Sequence, residues 1–183
     1  ERLASVVRAL REGAWDGANV TIPHKRAVLA EVDRLDASAA RAGAANVLQR
    51  DPSGTVAAAN TDGIGFLRGL KREPSWVDRT TTWANRSVLL LGAGGAARGV
   101  CAALREAGAG VTLVTRTPRE RAAWRPDLAG ELLGWNDTET LADAVAACSV
   151  VVQATPLGMT PHEDGCPEIP FERLGPDHLA VDL

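Results

Sequence analysis

Residues 87–98 read Ser87-Val88-Leu89-Leu90-Leu91-Gly92-Ala93-Gly94-Gly95-Ala96-Ala97-Arg98, an apolar strand running straight into a glycine-rich turn and then an Ala-rich helix. Strand, glycines and helix in that order form the context in which a short glycine motif points to dinucleotide binding. Gly92 permits the tight turn, Gly94 lets backbone approach a pyrophosphate, and the small Ala97 allows the helix to pack closely on the sheet. The helix N-terminus offers unpaired N–H groups and the positive end of a dipole to phosphate. A glycine-rich turn with no ligand is the competing reading. The flanking strand and helix favour the dinucleotide, with Gly92, Ala93, Gly94, Gly95 and Ala96 as candidate cofactor contacts.

Downstream the pattern alternates regularly. Helix is expected over 94–107, strand over 110–115, a short helix over 118–124, a weak strand over 132–135, helix over 138–148 and a buried strand over 149–154. Strands alternating with helices imply right-handed crossovers and a doubly wound parallel sheet. The tip of the second strand selects the dinucleotide, because an acid there accepts from a ribose hydroxyl whereas a cation accommodates a 2′-phosphate. Here the chain reads Val114-Thr115-Arg116-Thr117 and then Pro118-Arg119-Glu120-Arg121, with no acid at the tip. NADP is therefore expected over NAD, through Thr115, Arg116 and Thr117, with Arg121 as a second cationic contact. A solvated basic loop is the alternative.

Upstream, Leu3, Val6, Val7 and Leu10 recur at helical spacing before Gly13. A β-type run over 18–22 stops at Pro23, and helices are expected over 25–32 and 35–42, the second ended by Gly43. Runs 44–49 and 56–60 flank the turn Asp51-Pro52-Ser53-Gly54 and read as paired strands, followed by a helix over 63–71. Residues 73–86 lack periodicity and read as a connection, dividing the chain into 1–72 and 87–183.

Composition excludes several classes. The 183 residues carry 23 acidic and 20 basic side chains, and a 45 % apolar share with 23 % charged residues is that of a folded globular protein. The weakly acidic balance without a Lys/Arg block argues against nucleic acid or an anionic membrane as partner. No apolar run approaches the ~18 residues of a membrane span. Cys101, Cys148 and Cys166 are far apart and none lies near a His at ligand spacing, so neither a metal site nor a disulfide framework is expected. A reducing cytoplasm is the expected setting. The start at Glu1 and the end just after the strand-like His178-Leu179-Ala180-Val181-Asp182-Leu183 suggest a segment of a longer protein.

Three further stretches are distinctive: residues 17–25 (GANVTIPHK), 60–65 (NTDGIG) and 153–159 (QATPLGM). Together with the glycine loop, and in this order, they resemble the shikimate dehydrogenase family over nearly the whole chain. The resemblance implies an α/β fold: an incomplete α/β substrate-binding domain (1–72), a linker (73–86) and a doubly wound Rossmann NADP-binding domain (87–183). It implies reversible NADPH-dependent reduction of 3-dehydroshikimate to shikimate, a step of aromatic amino-acid biosynthesis. Lys25 and Asp62 match the family's acid/base pair, and Thr21 and Asn46 its contacts to substrate hydroxyls. Thr155, Pro156 and Met159 would line the nicotinamide pocket. A homodimer is one of the assemblies left open.

The residues make chemical sense on their own. Reducing a ketone develops alkoxide charge, so a proton donor beside that oxygen contributes on the order of 10²–10⁴-fold in rate. Lys25 follows a strand stopped by Pro23, and Asp62 follows a strand end, which is where α/β folds place ligands. Asp62 as a mere helix cap is the bland alternative. His24 neighbours Lys25 on what should be the opposite side of an extended segment, and His162 and His178 are expected to lack partners.

The chain also departs from the family's pattern. Gln153 stands where Asn is usual, and Thr115 and Glu120 replace an Asn and an Arg, leaving Arg116 to carry the NADP reading. The family's serine pair, its later tyrosine and glutamine, and its C-terminal helices lie outside this segment, which is therefore expected to bind shikimate poorly. The competing functions are an NAD-linked quinate/shikimate dehydrogenase, a methylenetetrahydrofolate dehydrogenase-type enzyme, against which 17–25 and 60–65 speak, and a dinucleotide-binding relative weak in catalysis.

Overall fold

The computed structural model describes residues 2–72, 82–116, 124, 128 and 130–183. Two sheets organise them. In the first half, helix α1 (Arg2–Arg11) buries Val7 and Leu10 against a four-stranded mixed sheet of β1 (Gly17–Asn19), β2 (Arg34–Leu35), β3 (Val47–Arg50) and β4 (Val56–Ala59), in the order β1-β3-β4-β2. β3 and β4 form the antiparallel pair expected from the sequence, with Leu48 opposite Ala58. β2, running parallel to β4, is a strand of two residues, too short to show an alternating pattern in the sequence.

Helix α2 (Ala37–Ala42) starts two residues later than expected because Asp36 caps it, accepting from the N–H groups of Ser38 and Ala39. Gly43 closes it in the left-handed region at φ 60°. The expected helix over 25–32 is only a 3₁₀ turn at Ala27–Ala30. The carbonyl of Lys25 accepts from Ala45 N–H at 2.7 Å, a tertiary bond that diverts it from helical pairing. Nor is the segment around His24 extended: His24 N–H donates to the Thr21 carbonyl, closing a turn that starts at Thr21.

The second half is a five-stranded, all-parallel sheet in the order β7-β6-β5-β8-β9. Its strands are β5 (Ser87–Leu91), β6 (Gly110–Thr115), β7 (Glu131–Gly134), β8 (Val150–Gln153) and β9 (Leu179–Asp182). Alternation sorts their side chains onto two faces. Leu89, Leu91, Val114 and Val151 pack against Leu141 and Val145 of helix α5 (Thr138–Ala147). Val88, Leu90, Leu113 and Val152 pack against helix α4 (Gly95–Glu106). That second face also receives Phe66 and Leu70 of helix α3 (Asp62–Leu70) and Ala42 of α2, so the two halves share a core.

Within the expected connection, Trp83 is buried and its ring lies 6.4 Å from that of Phe66. Residues 73–81 of that connection, and the helix expected over 118–124 apart from Trp124, lie outside the described residues. Cys101, Cys148 and Cys166 are free thiols; burial pushes Cys101 up to about 12 and Cys148 to about 11. Among the described residues no group of His, Cys, Asp and Glu is arranged to hold a metal ion, and no helix is long and apolar enough to cross a membrane.

Candidate active site

Lys25 and Asp62 are far apart in sequence and adjacent in space. Lys25 leaves the turn after Pro23, Asp62 opens α3, and Lys25 Nζ lies 2.6 Å from Asp62 Oδ2. Both side chains are largely shielded, 14 % and 18 % exposed. The second carboxylate oxygen, Oδ1, accepts from Asn46 Nδ2 at 2.8 Å. Asn46 is held in turn: its Nδ2 also donates to Thr61 Oγ1, and its Oδ1 accepts from Thr61 N–H at 2.8 Å.

Beneath the pair sits Asn60, which is buried. Its Oδ1 accepts from Asp62 N–H at 3.1 Å and its Nδ2 donates to the Ala44 carbonyl. Its own N–H donates to Ser38 Oγ, which donates onward to Asp36 Oδ1. One connected set of hydrogen bonds therefore runs from the α2 cap through Ser38 and Asn60 to the backbone N–H of Asp62. From sequence, Asn60 and Thr61 belong to the distinctive stretch 60–65, but the stretch by itself assigns no role to either side chain. Two short polar side chains directly before an acid were the available signal.

The halves enclose a cleft of about 510 Å³ at the C-terminal edge of the parallel strands. The first half contributes Ile22, Pro23, Lys25 and Arg26. The second contributes Gly92 to Ala96, Thr115, Arg116 and the loop 154–157. Gly92 has φ 105°, and an added Cβ would lie 2.9 Å from the Ala154 carbonyl, so the turn admits only glycine. At Gly94 an added Cβ meets nothing within 4 Å, leaving open space toward the cleft. No side chain caps α4 at Gly94, so the first N–H groups of that helix are uncapped beside the cleft.

Gln153, the residue that departs from the usual Asn, clamps the loop after β8. Its Oε1 accepts from Thr155 N–H at 2.9 Å and its Nε2 donates to the Leu157 carbonyl at 3.0 Å.

Thr115 is buried at the end of β6, and Arg116 is exposed on the cleft wall. Thr155 and Pro156 line the cleft, whereas Met159 is 52 % exposed and is not among its lining residues. Thr21 is exposed and off the cleft wall; Thr117 and Arg121 lie outside the described residues. His162, expected to be an idle loop residue, lines the cleft, as do Trp135 and Arg26, which carry no motif in the sequence. His178 has partners after all: its Nδ1 accepts from Gly175 N–H at 2.9 Å and its Nε2 lies 3.2 Å from the Val145 carbonyl.

A profile of the shikimate dehydrogenase substrate-binding domain matches residues 1–48. The chain is 37 % identical over all of its length to the NADP(+) shikimate dehydrogenase of Methanothermobacter thermautotrophicus, and 41 % identical over 98 % of its length to that of Acidiphilium cryptum. It spans 63 % and 61 % of the lengths of those two relatives. Its fold superposes with a TM-score of 0.76 on the shikimate 5-dehydrogenase of Thermus thermophilus, solved in complex with NADP(H) and shikimate. That match has 33 % identity and covers 98 % of this chain and 62 % of the other.

Proposed function

The chain belongs to the shikimate dehydrogenase family, and from that premise we propose that it carries the acid/base pair and nucleotide unit of an NADP-dependent oxidoreductase interconverting 3-dehydroshikimate and shikimate. The observation that carries the reading is the 2.6 Å contact of Lys25 with Asp62 beside a cleft walled by the glycine loop.

The residues fit the cofactor. The uncapped N-terminus of α4 and the open space at Gly94 suit a pyrophosphate, Arg116 suits a 2′-phosphate, and the loop held by Gln153 suits the nicotinamide end. When bound, NADPH supplies a hydride to a ketone carbon and NADP⁺ takes it back. Lys25 donates the proton that neutralises the oxygen as alkoxide charge develops, and in the other direction accepts it. Asp62 fixes the ammonium and balances its charge, and Asn46 and Asn60 fix Asp62. In this reading Asn46 also meets a substrate hydroxyl, while Thr21, off the cleft wall, keeps only the role that the family's motif implies for it; 1–72 is the substrate domain, 87–183 the nucleotide domain and 73–86 the linker. A homodimer and a cytoplasmic setting belong to the same reading; light scattering of the purified protein measures the first.

The test is steady-state oxidation of shikimate by NADP⁺, followed as NADPH absorbance, in the full-length protein carrying this chain. Turnover with NADP⁺ well above that with NAD⁺ is expected. Turnover with quinate and NAD⁺ alone would overturn the assignment in favour of the quinate-type alternative.

A further inference from the structure

Gly94 and Gly95 look equivalent in the glycine loop, but their surroundings differ. An added Cβ at Gly94 meets nothing within 4 Å, whereas one at Gly95 would lie 2.6 Å from Lys25 Cβ and 2.9 Å from Lys25 Cδ. The space left by Gly95 is therefore filled from the other half of the molecule, by the stem of the lysine. One turn further along α4, an added Cβ at Gly99 would strike the Asn60 carboxamide, whose Oδ1 accepts from Asp62 N–H. Residues four apart share a helix face, so a single face of α4 supports both members of the pair.

We propose that Gly95 and Gly99 are positioning residues for the Lys25–Asp62 pair, set from the nucleotide half by the helix that also opens on the cofactor loop. The inference rests on the function proposed above. A lysine side chain has four rotatable bonds and many rotamers in water. With its stem lying on Gly95, few remain, and these aim Nζ at Asp62. With Asn60 pressed on Gly99, the amide that receives the Asp62 N–H is fixed as well. Ordinary contact for a Cβ begins at 3.4 Å, so a methyl at position 95 must displace Lys25 near its own backbone, where the side chain cannot swing away.

The test combines kinetics with a double-mutant cycle in the full-length protein. Gly95→Ala is expected to lower kcat roughly tenfold to a hundredfold, the scale of an ångström-sized misplacement of a catalytic group, while KM for NADP⁺ changes little. Gly94→Ala is expected to raise KM for NADP⁺ instead. Gly95→Ala is also expected to lower the melting temperature, and that loss is expected to vanish in a Lys25→Gly background, which lacks Cβ, Cγ and Cδ. If Gly95→Ala alone fails to fold, folding of the double variant supports the proposal and its failure overturns it. An equal melting loss in both backgrounds, or a KM rise for Gly95→Ala matching that of Gly94→Ala, also overturns it. Absence of shikimate turnover in the parent protein would sink the proposed function and leave the melting cycle as an independent test of the contact.

Discussion

Between residues 44 and 62 the first half brings polar side chains into hydrogen bonds with one another, whereas between residues 92 and 96 the second half meets the cleft with backbone and small alanines. Asn46, Asn60, Thr61 and Asp62 each donate to or accept from another member of that group. Gly92 and Gly94 instead contribute a turn and empty space. Under the proposed function the contrast follows from what each surface must handle. A proton moves between defined atoms, which requires a side chain with one orientation and partners that hold it. A polyphosphate is gripped through many N–H groups at once, which requires close approach and no Cβ in the way. Deleting a functional group should therefore be the damaging change in the first half, and adding a methyl the damaging change in the glycine loop.

The largest effect expected from this contrast is that of Lys25→Ala, a kcat lower by on the order of 10²–10⁴-fold, the range for loss of a general acid. NADPH affinity, read from the fluorescence of the bound nucleotide, should hold. A parallel loss of affinity would break the division of labour between the halves. Next comes Arg116→Ala, which removes a charged side chain that the second half brings to the cleft wall. A hydrogen bond to a charged group contributes about 1.5–3 kcal/mol, so the ratio of kcat/KM for NADP⁺ to that for NAD⁺ should fall by roughly tenfold to a hundredfold. An unchanged ratio would move selection of the 2′-phosphate elsewhere.

The smallest effect concerns Asp36, at the far end of the side-chain network. Burial raises its pKa, but hydrogen bonds from the Ser38 hydroxyl and the Ala39 and Ser38 N–H groups outweigh that and hold it below the ordinary 3.8. Its folded pKa is depressed, so its contribution is complete above the unfolded value and lost as pH falls through the folded one. Asp36→Ala should cost about 1 kcal/mol at pH 7, as other lost helix caps do. The difference from the parent protein, measured by circular dichroism melts, should shrink once the pH drops below that of an ordinary carboxylate.

How much was legible in the sequence follows the same contrast. The parallel sheet was readable because Leu89, Leu90 and Leu91 form an unbroken apolar run and the glycines after them have a local purpose. The pairing of Lys25 with Asp62 was legible only through the family's motifs, since no local rule joins residues on separate elements. What escaped was decided by tertiary contact. The segment after Lys25 has helical propensity and yields a 3₁₀ turn, because Ala45 claims the Lys25 carbonyl. Gly95 reads as a phosphate glycine, yet its neighbour is a lysine from the other half. His162 reads as a loop residue because nothing in 154–162 reveals that the loop folds back onto the cleft wall.

Helices α3 and α4 meet backbone to backbone. Gly63 lies against the Gly99 carbonyl with no side chain between the two, and an added Cβ there would lie 2.6 Å from the Ala103 methyl. Asp62 is the chain neighbour of Gly63 and Asn60 presses on Gly99, so anything larger than hydrogen at either glycine would wedge apart the two helices and carry the carboxylate and its supporting amide with them.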